Sequence, residues 1–232
     1  MAEVENIIIA IDGPAVSGKG TVARLLAKRL GFMCLDTGAL YRGMTIYFMD
    51  NGVDLGNDDE VKQATSTVDL HPECVDVETH IFLEQDDVTE RLHDLDICEN
   101  VYRVAAIPRV RARIKTIQHA IGAHQNIVCE GRDIGSVVFP NAKFKFYLTA
   151  TLKARSERRF QMEAAKRTGA TLEEVTKMIR ARDRMDKKRP ISPLVQAEGA
   201  IKIDASHITA EQVVEKMIKI IKKEVGEILL FN

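Results

Sequence analysis

The sequence predicts an α/β fold with a mainly parallel sheet of five strands. Three observations carry the prediction. Short apolar runs alternate with longer stretches whose apolar residues recur at helical spacing. Runs such as Ile7-Ile8-Ile9-Ala10-Ile11 and Ile127-Val128-Cys129 are apolar throughout, as strands buried on both faces are. Polar segments, each holding glycine, follow three of the runs directly, at the carboxyl edge where such sheets bind ligands.

The first strand, Ile7–Ile11, leads into Gly13-Pro14-Ala15-Val16-Ser17-Gly18-Lys19-Gly20-Thr21, after which Val22, Leu25, Leu26 and Leu30 recur at helical spacing. Phe32–Leu35 reads as the second strand. It ends in Asp36-Thr37-Gly38-Ala39-Leu40-Tyr41-Arg42, where Asp36 and Thr37 cap a helix with Leu40, Met44, Tyr47 and Phe48 on its apolar face. Asn51-Gly52 stops that helix. From about Ala64 to Leu95 short apolar fragments, Val75–Val77 among them, alternate with turn signals, the pattern of a small antiparallel meander. Too small to fold alone, it reads as an insertion at 64–95 in a core made of 1–63 and 96–232.

From 96 to 123 the pattern is helical, interrupted at Pro108, with Val110, Ile114, Ile117 and Ile121 on one face. The third strand, Ile127–Cys129, ends in Glu130-Gly131-Arg132-Asp133-Ile134-Gly135, and Phe144–Leu148 is the fourth. A basic helix over about 152–166 follows. Thr171-Leu172-Glu173-Glu174 is a capping box that opens another, running to about Lys188. Ile201–Ile203 is the fifth strand. Thr209-Ala210-Glu211-Gln212 opens a last helix with Val213, Met217, Ile220 and Ile221 inward, and the tail 228–231 is apolar.

Composition narrows the classes. With 33 basic and 34 acidic residues, the net charge of -1 offers no basic excess for nucleic acid or a membrane surface. The 45% hydrophobic content excludes general disorder, and no apolar run has the length of a membrane span. The N-terminus, Met1-Ala2-Glu3-Val4-Glu5, is acidic where a secretory signal is basic. Cys34, Cys74, Cys98 and Cys129 lie far apart, and Cys34 and Cys129 read as buried, inert thiols. The expectation is a cytoplasmic protein of one core plus an insertion.

The Gly13–Thr21 stretch supplies the chemistry. Gly13 and Gly18 let the backbone bend and bring its N–H groups close to a polyphosphate. A helix N-terminus adds partial positive charge at the same place. Lys19 can reach the terminal phosphates, and Thr21 offers its hydroxyl to a metal. The strict motif has Ser or Thr directly after the lysine; here Gly20 intervenes. A GTPase would carry Asn-Lys-x-Asp, which is absent. What the chain does carry is arginine: Arg42, Arg111, Arg132 and the cluster from Arg180 to Arg189. Transfer of a phosphoryl group between two polyanions is mostly positioning and charge neutralisation, which such a set provides. Arg182, Asp186 and Arg189 fall on one helix face, able to close over phosphates as a lid or to form a solvated charged surface. Arg155, Arg158 and Arg159 are open to both readings, whereas Arg132 and Asp133 directly follow a buried strand.

Taken together these residues resemble the bacterial cytidylate kinases. The Gly-Lys-Gly-Thr ending is similar to that of nucleoside monophosphate kinases generally. The more specific likeness runs through Ile11–Thr21, Leu35–Arg42, Val104–Pro108 with Val110-Arg111, Glu130–Gly135, Arg182-Asp183 with Asp186 and Arg189, and Ser192-Pro193-Leu194. The resemblance implies a three-layer P-loop kinase core, an inserted monophosphate-binding domain at 64–95 and a helical lid at about 152–190. It implies transfer of the terminal phosphate of ATP, with Mg2+, to CMP or dCMP. Beside it stands the expectation of a monomer with no nucleic-acid or membrane partner. Gly13, Pro14, Ala15, Val16, Ser17, Gly18, Lys19, Gly20 and Thr21 would then bind ATP. Thr37, Tyr41 and Arg42 would line the acceptor site, with Arg42 on its phosphate. Arg111 and Asp133 would read cytosine, Arg132 and Arg182 would hold phosphates, Asp186 would take a sugar hydroxyl, and Arg189 would support the acceptor phosphate. Lys19, Arg132, Arg182 and Arg189 form the implied catalytic set. Tyr102 stands where the family usually has a small serine near the base. A kinase for UMP or another small acceptor, or a nucleotide-binding protein without the reaction, are the alternatives.

Overall fold

The computed structural model describes residues 6–165 and 169–225. The apolar tail at 228–231 lies outside the described residues. Five strands, β1 (Ile8–Asp12), β2 (Met33–Asp36), β6 (Ile127–Gly131), β7 (Phe144–Thr149) and β8 (Ile201–Asp204), form one sheet in the order β2-β6-β1-β7-β8. Three more, β3 (Leu70–Val75), β4 (Glu78–Leu83) and β5 (Asp86–Asp87), form a small sheet in the order β3-β4-β5, antiparallel throughout. Each of the five main-sheet strands read from sequence is present, shifted by at most a residue or two at its ends. The chain divides into two compact units, Ile8–Phe32 with the chain from Val128 onward, and Met33–Ile127 with the residues up to Ile7.

In the first unit β1 pairs in parallel with β7, Ile9 opposite Phe144 and Asp12 opposite Tyr147, and β7 pairs in parallel with β8. Ile9, Ala10, Ile11, Val128, Cys129 and Leu148 are buried completely, which explains the continuous apolar runs. Helix α1 (Lys19–Leu30) begins at Gly18 and ends at Gly31, both left-handed, and packs on α8 (Ala210–Val225). Along α8 the buried residues are Val213, Val214, Met217, Ile218 and Ile221. Ile220, expected inward, is only half-buried: the core stripe follows the four-residue rows from 213 and 214, and position 220 turns to their flank. Thr209 caps this helix as predicted, accepting from the Gln212 amide at 3.3 Å while Gln212 accepts from the Thr209 amide at 2.9 Å.

Helices α6 (Leu152–Ala165) and α7 (Leu172–Lys188) pack against each other. The Thr171 capping box of α7 is complete, side chain and backbone bonding reciprocally with Glu174. Thr171→Ala removes it, and urea denaturation is expected to show a loss of about 1 kcal/mol.

In the second unit α2 (Thr37–Asp50) starts at Asp36, whose carboxylate accepts from the Ala39 amide at 3.2 Å, and buries Leu40, Met44 and Phe48. The small sheet packs so closely on α2 that a Cβ on Gly43 would lie 2.6 Å from Ile81 and 2.9 Å from Leu70. The segment 64–95 departs from the expected meander at both ends. Residues 64–67 complete helix α3 (Asp58–Thr67), capped by Asn57, and Thr89–His93 form a 3-10 turn. Val75–Val77 is no independent strand, because Asp76 and Val77 take left-handed conformations in the β3–β4 turn. Helix α4 (Leu95–Val104) and helix α5 (Pro108–His124) are separated where Pro108 predicted, with Pro108 itself in the first turn of α5. Val110 and Ile114 are buried, while Ile117 and Ile121 are half-buried.

Candidate active site

The site in the unit of Ile8–Phe32 and Val128 onward starts at the end of β1. A Cβ on Gly13 would stand 2.0 Å from the Leu148 carbonyl oxygen, so only glycine lets the chain leave the sheet here. Val16 (φ 58°) and Gly18 (φ 93°) are both left-handed, the backbone pattern that turns successive amides toward one point. The Ser17 hydroxyl is buried without a hydrogen-bond partner within the protein. A cradle of amides, an unpartnered hydroxyl and a helix N-terminus fit a polyphosphate.

Lys19 is 5% exposed; its Nζ donates to the Pro14 carbonyl at 3.0 Å and lies 4.0 Å from Glu130. Burial, and next the charge of Arg132, lower its pKa to about 8, against the opposing pull of Glu130, Asp12 and Asp186. Asp12, also buried, accepts from the Ile134 and Gly135 amides, both at 2.8 Å, which ties β1 to the turn after β6. Burial is the largest influence on Asp12 and raises its pKa to about 6 in spite of those two bonds.

That turn and α7 bring the predicted arginines together. Arg132 Nε donates to Asp186 at 2.8 Å, and Arg182 lies 3.8 Å from the other oxygen of the same carboxylate. Arg189 Nη2 donates to Asp133 at 3.2 Å, and its Nε donates to the Ser192 carbonyl. Arg182 and Asp186 share a helix face as expected, but Arg189 does not belong to it. The helix ends at Lys188, and Arg189 is extended (φ −60°, ψ 139°) because Pro190 follows. The reach of Arg189 to Asp133 depends on that break.

Three side chains that the sequence reading did not place complete the arrangement. Glu130 faces Lys19, its Oε1 3.4 Å from where a Gly20 Cβ would be. Asp183 accepts from the Ala15 amide at 3.3 Å and pairs with Arg155 at 2.7 Å. Arg155 donates to the Ala15 carbonyl at 3.0 Å. Only the position of Glu130, at the end of a buried strand, could have marked it in sequence.

The other unit holds the remaining candidates. Thr37, at the start of α2, is buried. Arg42 pairs with Asp36 at 3.0 Å. Arg111 is buried; it lies over the Tyr41 ring at 5.4 Å and donates to the Ala105 carbonyl at 3.2 Å. Tyr102 is half exposed on α4.

For a metal the donors are oxygens. Among the described residues no three His, Cys, Asp or Glu side chains form a cage. Mg2+ bound with nucleotide phosphates needs only one or two protein oxygens, and the Thr21 hydroxyl and Glu130 carboxylate are of that kind.

A family model described as cytidylate kinase matches residues 9–223. A protein of Fusobacterium nucleatum named cytidylate kinase is 39% identical over 220 residues, covering 95% of this chain and 99% of that one. One of the same name from Carboxydothermus hydrogenoformans is 42% identical over 216 residues, covering 93% and 97%. The structure of TT1252 from Thermus thermophilus aligns over 95% of this chain and 98% of that one, with 19% identity and a TM-score of 0.47.

Proposed function

The chain belongs to the cytidylate kinase family, and on that premise we propose that it transfers the terminal phosphoryl group of ATP to CMP or dCMP. The observation that supports this most is the meeting, in one unit, of the Gly13–Thr21 loop with Lys19, Arg132, Arg182 and Asp186. In phosphoryl transfer the attacking group is itself a phosphate and needs no strong base; the work is to neutralise and align. The loop amides and Lys19 hold the donor phosphates. Arg132, Arg182 and Arg189, oriented by Asp186 and Asp133, neutralise the charge that spreads over the transferring group. Thr21 and Glu130 would hold Mg2+, which supplies charge neutralisation between donor phosphates when bound.

On the acceptor side Arg42 takes the monophosphate beside Thr37 and Tyr41, and Asp186 takes a sugar hydroxyl. Arg111 and Asp133 read the base. Cytosine offers an amino donor to a carboxylate and a ring acceptor to a guanidinium, and uracil reverses both. Tyr102 supplies the hydroxyl that a serine gives elsewhere. We assign 64–95 to the monophosphate-binding side, 152–190 to a lid, and 1–63 with 96–232 to the core of a cytoplasmic monomer.

A coupled ADP-release assay tests the proposal with CMP, dCMP and UMP as acceptors. The expected kcat/KM for CMP exceeds that for UMP by about 100-fold or more, since the wrong base leaves buried charged partners unpaired. Asp133→Asn narrows that gap, because an amide can present either a donor or an acceptor. Equal turnover of CMP and UMP contradicts the base reading; no ADP release with any monophosphate favours a binding protein without the reaction.

A further inference from the structure

The phosphate loop is strained at one place. Val16 is β-branched and left-handed (φ 58°), a strained conformation for such a residue that persists only where its surroundings impose it. Those surroundings are specific. On the N-terminal side of Val16, both polar groups of Ala15 are held by side chains from distant helices. Its amide donates to Asp183 Oδ1 on α7 at 3.3 Å. Its carbonyl, part of the peptide that enters Val16, accepts from Arg155 Nη1 on α6 at 3.0 Å. The two side chains are locked to each other, Arg155 Nη2 to Asp183 Oδ2 at 2.7 Å, and Arg155 Nε is anchored on the Ala150 carbonyl at 3.0 Å. Arg155 is 7% and Asp183 15% exposed, so the clamp works in a medium where charged hydrogen bonds are strong.

We propose that Arg155 and Asp183 are positioning residues for the donor nucleotide: together they fix the Ala15–Val16 peptide, and so impose the left-handed turn that aims the following loop amides at the donor phosphates. Neither reaches the reacting atoms through this contact. The clamp also joins the loop to α6 and α7. The same turn of α7 carries Arg182 and Asp186, so the loop's shape and the arginines' placement are set by one element. The proposal rests on the donor-nucleotide reading above, and the turnover of the unaltered protein checks that reading first, independently of any variant.

The test is steady-state kinetics of ADP release, with ATP and CMP varied separately, on Arg155→Met, Asp183→Ala and Asp183→Asn. Each is made alone and with Val16→Gly. Loss of the clamp is expected to raise the KM for ATP about 10-fold or more while the KM for CMP moves less than about threefold, a tenfold change being about 1.4 kcal/mol. Asp183→Asn keeps an acceptor for only one of the Ala15 amide and Arg155, because its amide nitrogen turns a donor toward the other, and is expected to recover only part of the loss. Glycine takes the left-handed conformation freely, so the clamp has less strain to hold and its removal costs less beside Val16→Gly than alone. If Arg155→Met fails to fold, Asp183→Ala and Asp183→Asn carry the comparison. Equal rises in both KM values, or effects fully additive with Val16→Gly, would overturn the proposal in favour of a pair that only holds the helices together.

Discussion

Lys19→Met is expected to lower kcat by on the order of 100- to 1000-fold and, at the same time, to raise the melting temperature. The kinetic loss follows from removing the cation that meets the donor phosphates. The thermal gain follows from burial: Lys19 is 5% exposed, and burial with the nearby Arg132 charge brings its pKa down to about 8. Below pH 8 the folded protein bears the cost of a charged, desolvated ammonium that the unfolded chain does not. Between pH 8 and the unfolded value of 10.5 the folded state has released the proton and the unfolded chain still binds it, so stability from this group rises with pH. The melting advantage of the methionine variant is therefore largest near neutral pH and shrinks from pH 8 to 10.5. The Pro14 carbonyl loses its donor in the variant, which offsets part of the gain. Thermal melts across that pH range, beside ADP release, check both halves. A variant that loses activity and stability together would mean that Lys19 is held mainly by its neighbours and that burial is not its dominant environment.

Gly13→Ala is expected to cost about 3 kcal/mol of stability or more, at the upper end of overpacking effects. The added Cβ would fall 2.0 Å from the Leu148 carbonyl oxygen. That oxygen belongs to β7, whose ladder with β1 pairs Asp12 with Tyr147 beside it, so the obstacle is backbone and cannot swing aside. Relief requires β1 and β7 to separate or the loop to lift, and either shifts Lys19. The urea midpoint should fall sharply, with kcat falling beside it. Gly31→Ala is the contrast: nothing stands within 4 Å of its Cβ, so its cost is limited to the left-handed backbone.

The phosphate loop was legible because its determinants are local. A buried strand, glycines at fixed spacing and a helix pattern lie within about two dozen residues, and each obeys a rule of its own period. The capping boxes at Thr171 and Thr209 were legible for the same reason. Helix α3 was missed although Asn57-Asp58-Asp59-Glu60 is a good start signal, because its apolar face has only Val61 and Ala64 to announce it. Val75-Asp76-Val77 misled in the opposite direction. Two β-branched residues suggested a strand of their own, but Val75 ends β3 opposite Glu78, and the β3–β4 register puts Asp76 and Val77 in the turn. Arg189 was counted by helical spacing, yet Pro190 ends the helix before it. The contacts of Asp12 with the Ile134 and Gly135 amides, and of Asp183 and Arg155 with Ala15, join residues more than a hundred positions apart. No local pattern encodes such pairs; the sheet order and the packing of α6 on α7 bring them together.

The central claim is that one lysine and a set of arginines gather two nucleotides that repel each other. Calorimetry with adenosine and cytidine joined 5′ to 5′ through five phosphates measures this directly. One molecule is expected to bind per chain, at least about 100-fold more tightly than ATP or CMP alone, as linking two occupied sites predicts. Replacing Arg132 and Arg189 together by methionine should erase most of that gain. An affinity no better than that of ATP, indifferent to both arginines, would contradict the account.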